Sequence, residues 1–210
     1  CFRDEDARSD RQPEFTQLDL EMSFVDQEEI LCLIEQLYIQ MVASVAPEKS
    51  MSHSFPRLDY DDAMDRFGTD KPDLRFGLEL CDITDIAVTT QFQVFTSAIE
   101  TGGVIKGFSS PGCANYSRRQ QDELVEYVKS NGGSGLVTIA LSEDVPDISS
   151  LTMDDVRSSA LRFLTVEEIK SIAIRLSASP GDMLFIVAGP KNRVLNSLGQ
   201  LRNLMGNRLG

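Results

Sequence analysis

The sequence has no tryptophan, a single histidine and only four cysteines among its 210 residues. The cysteines, Cys1, Cys32, Cys81 and Cys113, are 31, 49 and 32 positions apart, so none has the close neighbour that a zinc knuckle or a redox pair requires. Because His53 is the one imidazole, the composition also disfavours a His/Cys metal centre and a Ser-His-Asp triad. We expect the reduced thiols of an intracellular protein.

Long apolar runs are missing as well, since no stretch approaches the roughly 20 residues of a membrane-spanning helix. Lys and Arg number 20 against 33 Asp and Glu, and the formal net charge of −13 argues against a general nucleic-acid binder. The expected partners therefore include neither a membrane nor DNA. The chain opens with Cys1-Phe2-Arg3-Asp4-Glu5, without a Met or a signal peptide, and we interpret it as a piece of a longer protein.

What is present is an ordinary globular composition, 41% hydrophobic and 25% charged, which suits one large domain or two small ones. Residues 2–5 and 14–24 are predicted to form two antiparallel strands around a polar loop. The second stretch alternates strictly, which is typical of a half-buried strand. One face is expected to point to the core: Leu18, Leu20, Met22 and Phe24. The opposite face is mostly polar: Phe15, Gln17, Asp19 and Glu21.

Capping patterns predict where several helices begin. These patterns are Asp26 with Glu29, Ser117 with Gln120, and Thr165 with Glu168. The first helix is expected to end at Pro47 and to bury one apolar stripe. That stripe consists of Ile30, Ile34, Leu37, Met41 and Val45. Further helices are predicted at about 60–67, with Gly68 as C-cap, and at about 192–207.

Strands are predicted where β-branched and apolar residues follow glycine, at 135–141 and 182–188. Residues 74–86 are predicted to be a mixed, strand-like stretch. The sequence pattern changes near residue 88. After this point, helical and strand-like segments alternate along the chain. Since strands and helices alternate and the N-terminal pair is antiparallel, the predicted fold class is α+β.

The polar face of the predicted N-terminal hairpin contains the side chains best suited to binding or catalysis. If the two strands pair in register, Arg3 and Glu5 share this face with Phe15 and the residues that alternate after it. A guanidinium binds two oxygens of a phosphate or carboxylate, an aromatic ring stacks on a base, and carboxylates receive an ammonium group or Mg²⁺. Such a surface suits a nucleoside triphosphate and an amino acid. A salt-bridge network on an exposed hairpin is the alternative.

The run from Phe2 to Glu21, FRDEDARSDRQPEFTQLDLE, closely resembles motif 2 of class II aminoacyl-tRNA synthetases, in the version of the bacterial-type aspartyl-tRNA synthetases. The run 60–80, with FGTDKPDLRF at 67–76, resembles the segment before that family's large insertion. Residues 89–188 resemble this insertion, the GAD domain, more loosely. The resemblance implies three parts. They are 1–88, part of the antiparallel-sheet catalytic domain; 89–188, an α+β GAD-like insertion; and 189–210, a helix that ends the insertion or returns to the catalytic domain.

The resemblance also implies a role for individual residues. The positions matching ATP contacts are Arg3, Asp4, Glu5, Gln12 and Phe15. The positions matching aspartate contacts are Arg3, Gln17, Asp19 and Glu21. Arg3 matches the catalytic arginine, which offsets charge on the α-phosphate and the amino-acid carboxylate. Arg8 and Arg11 match the loop that meets the tRNA acceptor end. Lys106, Arg118 and Arg119 are interpreted as exposed charges.

The implied activity is ATP-dependent activation of L-aspartate to aspartyl-adenylate, followed by transfer to the 3′ end of tRNA. The implied full-length enzyme is a homodimer in the bacterial cytoplasm, with a mitochondrial or plastid matrix as the alternative. Motif 1, motif 3 and most Mg²⁺ ligands are expected outside this chain, which alone should be inactive. Two alternatives stay open: a non-catalytic tRNA-associated module, such as the GAD-bearing subunit of a tRNA-dependent amidotransferase, and a synthetase paralogue without tRNA aminoacylation.

Overall fold

The structure is a computed structural model that describes residues 1–4, 6, 11–51 and 54–209. It divides into two compact units, Cys1–Arg57 and Leu58–Gly210, which are described separately. The helices are α1 (Gln27–Val45), α2 (Tyr60–Phe67), α3 (Thr84–Ala87), α4 (Gln93–Glu100), α5 (Arg118–Ser130), α6 (Val166–Arg175) and α7 (Lys191–Leu209). The strands are β1 (Cys81–Asp82), β2 (Val104–Ser110), β3 (Val137–Leu141), β4 (Val156–Arg157) and β5 (Met183–Gly189). Short 3₁₀ turns lie at Ile148–Ser150, Met153–Asp155 and Leu161–Phe163.

Helix α1 of the first unit begins at the capping box that the sequence predicts. The Asp26 carboxylate accepts the Glu29 N–H at 3.0 Å, and the Glu29 carboxylate accepts the Asp26 N–H at 2.9 Å. The predicted buried stripe is wrong, because no residue of α1 is buried. An amphipathic helix buries its apolar face only against a second layer, and the described residues of this unit supply none.

The prediction of two full strands at the N-terminus is also wrong. Among the described residues, Phe2 and Glu14 form an antiparallel bridge, and the residues after Phe15 have no ladder partner in this part of the unit. The predicted core face is exposed, from 49% at Met22 to 104% at Phe24. Alternating apolar and polar residues define a strand face that can be buried, but that face is buried only when other strands or helices pack against it.

The second unit is organised around an antiparallel sheet in the order β1-β2-β5-β3-β4. Strands β3 and β5 confirm the predictions for 135–141 and 182–188, and the helices confirm the α+β fold class. The stretch 74–86 is not strand-like as predicted. It contains only the two-residue β1 and the start of α3, because a bend at 75–76 and a left-handed Leu78 (φ 64°) interrupt the extended backbone.

Every residue of β5 is buried, and alternate side chains enter two separate cores. Leu184 and Ile186 pack with apolar residues of α3, α4 and α6. Met183 and Phe185 pack with apolar residues of α5 and α7. Because successive side chains of a strand point to opposite faces, helices cover both sides of the sheet. The capping boxes at Ser117 and Thr165 start two of these helices as predicted.

Lys106, which we interpreted as an exposed charge, is buried in β2 with 1% of its side chain exposed. Its ammonium donates to the Asp65 carbonyl at 2.9 Å and pairs with the Asp65 carboxylate at 2.7 Å. Lys191 lies 3.6 Å from the same carboxylate. Partial burial works to raise the pKa of Asp65, but the hydrogen bond and charge of Lys106, aided by Lys191, outweigh it and lower that pKa. The pair ties α2 to the sheet.

Arg202 of α7 is completely buried and fastens the segment between α2 and β1. Its Nη2 donates to the carbonyls of Asp73, Phe76 and Gly77 at 2.8–3.1 Å, and its Nε donates to the carbonyl of Leu78 at 3.1 Å. Backbone carbonyls that are shielded from water need a donor, and here the Arg202 side chain supplies it. We call residues 69–78 the clamped loop.

Two aromatic rings and two glycines complete this attachment. The guanidinium of Arg202 lies 4.8 Å from the ring centroid of Phe67 and 4.6 Å from that of Phe76, within cation–π range. A Cβ on Gly199 would come 2.8 Å from the carbonyl oxygen of Gly68, and a Cβ on Gly206 would overlap the Phe76 ring. The end of α2 and the clamped loop therefore both pack directly on α7.

Replacing Arg202 with Met should lower the free energy of unfolding of the chain by about 3 kcal/mol. Methionine fills much of the volume but leaves four backbone carbonyls without a donor, and each buried unsatisfied group costs ~1–3 kcal/mol. Urea unfolding followed by far-UV circular dichroism measures the change. Arg118→Met, on an arginine that is 80% exposed, is the matched control and should change it by less than about 0.5 kcal/mol. An equal loss in both variants would contradict the assigned role.

Replacing Asp65 with Asn should leave the buried Lys106 charge without its counter-ion and cost ~2 kcal/mol of stability. The carboxylate has a lowered pKa in the folded chain, so its contribution is fully present above the ordinary aspartate pKa and disappears as the pH falls through the folded value. Urea midpoints at neutral and acidic pH measure this. The gap between parent and Asp65→Asn should be large at neutral pH and close at acidic pH; a pH-independent gap would sink the ion-pair explanation.

Candidate active site

The base of the N-terminal hairpin sets which side chains share a face. The Arg3 N–H donates to the Pro13 carbonyl at 2.9 Å, and the Phe15 N–H donates to the Cys1 carbonyl at 3.1 Å. With Phe2 opposite Glu14, these bonds place Cys1 opposite Phe15 in the antiparallel register. Because side chains alternate along each strand, Cys1, Arg3 and Phe15 lie on the same side.

Arg3 and Phe15 are brought into direct contact on this side. The Arg3 guanidinium carbon lies 5.6 Å from the centre of the Phe15 ring, and the ring is half-buried. The contact is a cation–π interaction, which holds the guanidinium near the ring while leaving N–H donors at its edge. A cation beside an aromatic plate is an arrangement that a nucleotide phosphate and base could use together.

The polar side chains that alternate after Phe15 continue the same face. The Cys1 thiol donates to the Gln17 amide oxygen at 3.3 Å, and the Gln17 amide nitrogen donates to the Asp19 carboxylate in a short hydrogen bond. Thus Arg3, Phe15, Gln17 and Asp19 form one continuous polar strip, which we call the hairpin face. Asp19 is exposed, so its carboxylate can accept a further donor such as an ammonium group.

Three of the remaining predicted site residues are not joined to this strip by hydrogen bonds. Asp4, Gln12 and Glu21 are exposed and make no hydrogen bond or ion pair with the part of the chain that the structure describes. Arg11 is exposed and has an interaction partner. Glu5 and Arg8 lie outside the described residues, as does His53.

The residues that the structure describes do not form a metal centre. Within residues 1–4, 6, 11–51 and 54–209, no three His, Cys, Asp or Glu side chains converge to hold a metal ion. This part of the chain therefore does not fit a magnesium site, and we derive no step through Mg²⁺. In the same residues, no helix combines the length and the apolar character needed to cross a membrane.

A second polar site lies in the other unit, and the sequence analysis missed it. The clamped loop and the last turns of α7 border a cleft of about 270 Å³, lined by Lys71, Asp73, Arg75, Phe76, Asn203 and Asn207. The loop sequence was singled out only for its resemblance. The signal in α7 was Arg202 itself, which interrupts an apolar stripe at helical spacing from Leu198 and Met205.

Comparison with known proteins places these features in a family. The model of the class II tRNA synthetases for D, K and N matches residues 1–194. The chain belongs to this family. The match begins at the hairpin and includes the whole hairpin face, so the resemblance proposed from motif 2 is confirmed.

Curated relatives agree with the family match. The chain is 49% identical over 209 residues to the aspartate–tRNA(Asp/Asn) ligase of Dehalococcoides mccartyi and 49% identical over 210 residues to that of Symbiobacterium thermophilum. It is 44% identical over 209 residues to the ligase of the same name from Moorella thermoacetica. Each alignment covers all of this chain but only 33–35% of the relative, so the chain spans about a third of the length of the curated relatives it matches.

Proposed function

We propose that this chain supplies one wall of the active site of an aspartate–tRNA ligase. The complete gene product would activate L-aspartate with ATP to aspartyl-adenylate and transfer the aspartyl group to the 3′ end of tRNA. The observation that carries the proposal is the hairpin face, where Arg3, Phe15, Gln17 and Asp19 are aligned by the register of one hairpin. The names of the relatives favour a substrate range of tRNA(Asp) and tRNA(Asn).

Each group on the hairpin face has a task in the first step. The aspartate carboxylate attacks the α-phosphorus and pyrophosphate leaves, so two anions must approach each other. Arg3 offsets this repulsion and stabilises the charge of the transition state through its paired N–H donors. Phe15, fixed against Arg3, provides a plate for the adenine. Asp19, oriented by Gln17, receives the α-ammonium of the amino acid, with Glu21 next on the same side.

The other assigned residues complete the proposal. Asp4, Glu5 and Gln12 contact ATP, while Arg8 and Arg11 meet the tRNA acceptor end. In the second step the terminal ribose hydroxyl attacks the adenylate carbonyl and AMP leaves, which demands alignment more than a strong base. The homodimer, the bacterial cytoplasm and the division into a catalytic part (1–88), a GAD-like insertion (89–188) and a connecting helix (189–210) are part of the same proposal.

Arg3→Ala in the complete gene product should slow aspartate-dependent ATP–pyrophosphate exchange by on the order of 10²–10³, because a charged donor to the transition state is lost. Affinity for tRNA should change far less. Arg119→Ala, which removes an arginine that is 90% exposed, is the control and should exchange like the parent. An unchanged exchange rate in Arg3→Ala would mean that Arg3 only supports the hairpin.

Arg8→Ala and Arg11→Ala should raise the KM for tRNA or slow transfer, while ATP–pyrophosphate exchange changes little. If each arginine contacts a phosphate, the loss should also shrink as salt increases. Steady-state charging of transcribed tRNA(Asp) at two KCl concentrations measures both effects. Parent-like charging by both variants would show that they are solvated charges, and a collapse of exchange would move them to the ATP site.

A further inference from the structure

The clamped loop is held more firmly than an exposed connection requires. Arg202 donates four hydrogen bonds to its carbonyls, and Leu78 is kept in a left-handed conformation (φ 64°) that costs a residue with a side chain about 1–2 kcal/mol. Two buried atoms beside it, Nη1 of Arg202 and Oδ1 of Asn203, have no hydrogen-bond partner among the described residues. Rigid support of an exposed polar loop is typical of a site that must present groups in fixed positions.

The groups presented are mainly donors. Lys71 and Arg75 project from the loop with 84% and 85% of their side chains exposed. Asn203 and Asn207 face the same cleft from α7. Phosphate oxygens accept hydrogen bonds from ammonium, guanidinium and amide N–H groups of this kind.

Each of the two exposed cations forms an ion pair with one carboxylate of the loop. Asp70 pairs with Lys71 at 3.0 Å, and Asp73 receives Nε and Nη2 of Arg75. The hydrogen bond from Arg75 lowers the pKa of Asp73 to about 2, so this carboxylate stays ionised and orients the guanidinium. Nη1 of Arg75 makes no hydrogen bond within the described part of the chain. Arg202, buried behind the loop, adds a further positive charge near Asp73 in a chain whose net charge is −13.

We propose that the cleft between the clamped loop and α7 binds a backbone phosphodiester of an RNA, with Lys71 and Arg75 as contact residues and Arg202 as a positioning residue. The inference rests on the proposed function for the identity of the RNA. A backbone contact fits better than a base contact, because Phe76, the aromatic ring in the lining, already stacks on Arg202.

The test compares K71Q/R75Q with K129Q/R193Q in the complete gene product. Both double variants remove one lysine and one arginine from exposed positions of the same unit, and Lys129, like Lys71, is paired with a nearby acid. K71Q/R75Q should raise the KM for transcribed tRNA(Asp) roughly tenfold and reduce the slope of log affinity against log salt by about one per lost phosphate contact. The control should change the KM less than twofold.

The same variants distinguish an RNA backbone phosphate from the phosphate of a nucleotide. ATP–pyrophosphate exchange with aspartate should keep the parent KM for ATP in K71Q/R75Q, and a rise there would overturn the RNA assignment in favour of a nucleotide phosphate. Equal losses of charging in both double variants would overturn it in favour of general charge, and parent-like charging would show that the loop is structural. If the parent itself lacks aspartate-dependent exchange, the proposed function fails first.

Arg202→Lys tests the positioning role. Lysine keeps the positive charge but has one donor centre for four carbonyls, so the loop should lose its fixed geometry. We expect the KM for tRNA to rise with kcat of pyrophosphate exchange unchanged. If charging falls only in parallel with exchange, Arg202 acts on stability alone and the positioning role is wrong.

Discussion

Both faces of β5 are buried, and the arrangement of the second unit depends on that constraint. A strand without a solvent face needs neighbours on both edges and a helical layer on each side. Strands β2 and β3 supply the edges, α5 and α7 cover one side, and α3, α4 and α6 cover the other. Once α7 is fixed by this packing, its buried Arg202 is fixed too, and the clamped loop follows from it.

The first unit depends on a different kind of order. Its α1 buries no residue, and the apolar side of residues 18–24 stays exposed. The order of the hairpin is local, and among the described residues it includes the Phe2–Glu14 bridge and the Arg3–Pro13 and Phe15–Cys1 backbone hydrogen bonds. These are sufficient to align Arg3 with Phe15 and Gln17 with Asp19. The proposed chemistry of the unit needs that alignment, whereas its stability needs more apolar contact than the unit supplies by itself.

Local signals in the sequence predicted local structure well. The capping boxes at Asp26, Ser117 and Thr165 each start a helix, since the cap is satisfied by residues three positions away. The alternation after Phe15 correctly predicted that Gln17 and Asp19 share a side. Gln17 and Asp19 meet because an extended chain brings every second residue into reach.

Predictions that required long-range information failed. Burial of α1 could not be predicted from its periodicity. An apolar stripe shows which side of a helix a neighbouring element would bury, but it does not show that such an element is present. The sequence predicts a surface charge at Lys106 because its counter-ion Asp65 lies 41 residues away and no sequence pattern joins the two. Arg202 was overlooked for the same reason, since its acceptors are backbone carbonyls more than 120 residues away and backbone acceptors leave no trace in side-chain composition.

The hairpin face has a consequence for which changes of chain length the protein can tolerate. Since side chains alternate with a period of two, inserting or deleting one residue between Phe15 and Asp19 would turn every later side chain to the opposite side. The carboxylate of Asp19 would then leave the side of Arg3, and Leu18 or Leu20 would take its place. Substitutions in this segment alter one group at a time, but a single-codon insertion exchanges the polar and apolar sides at once.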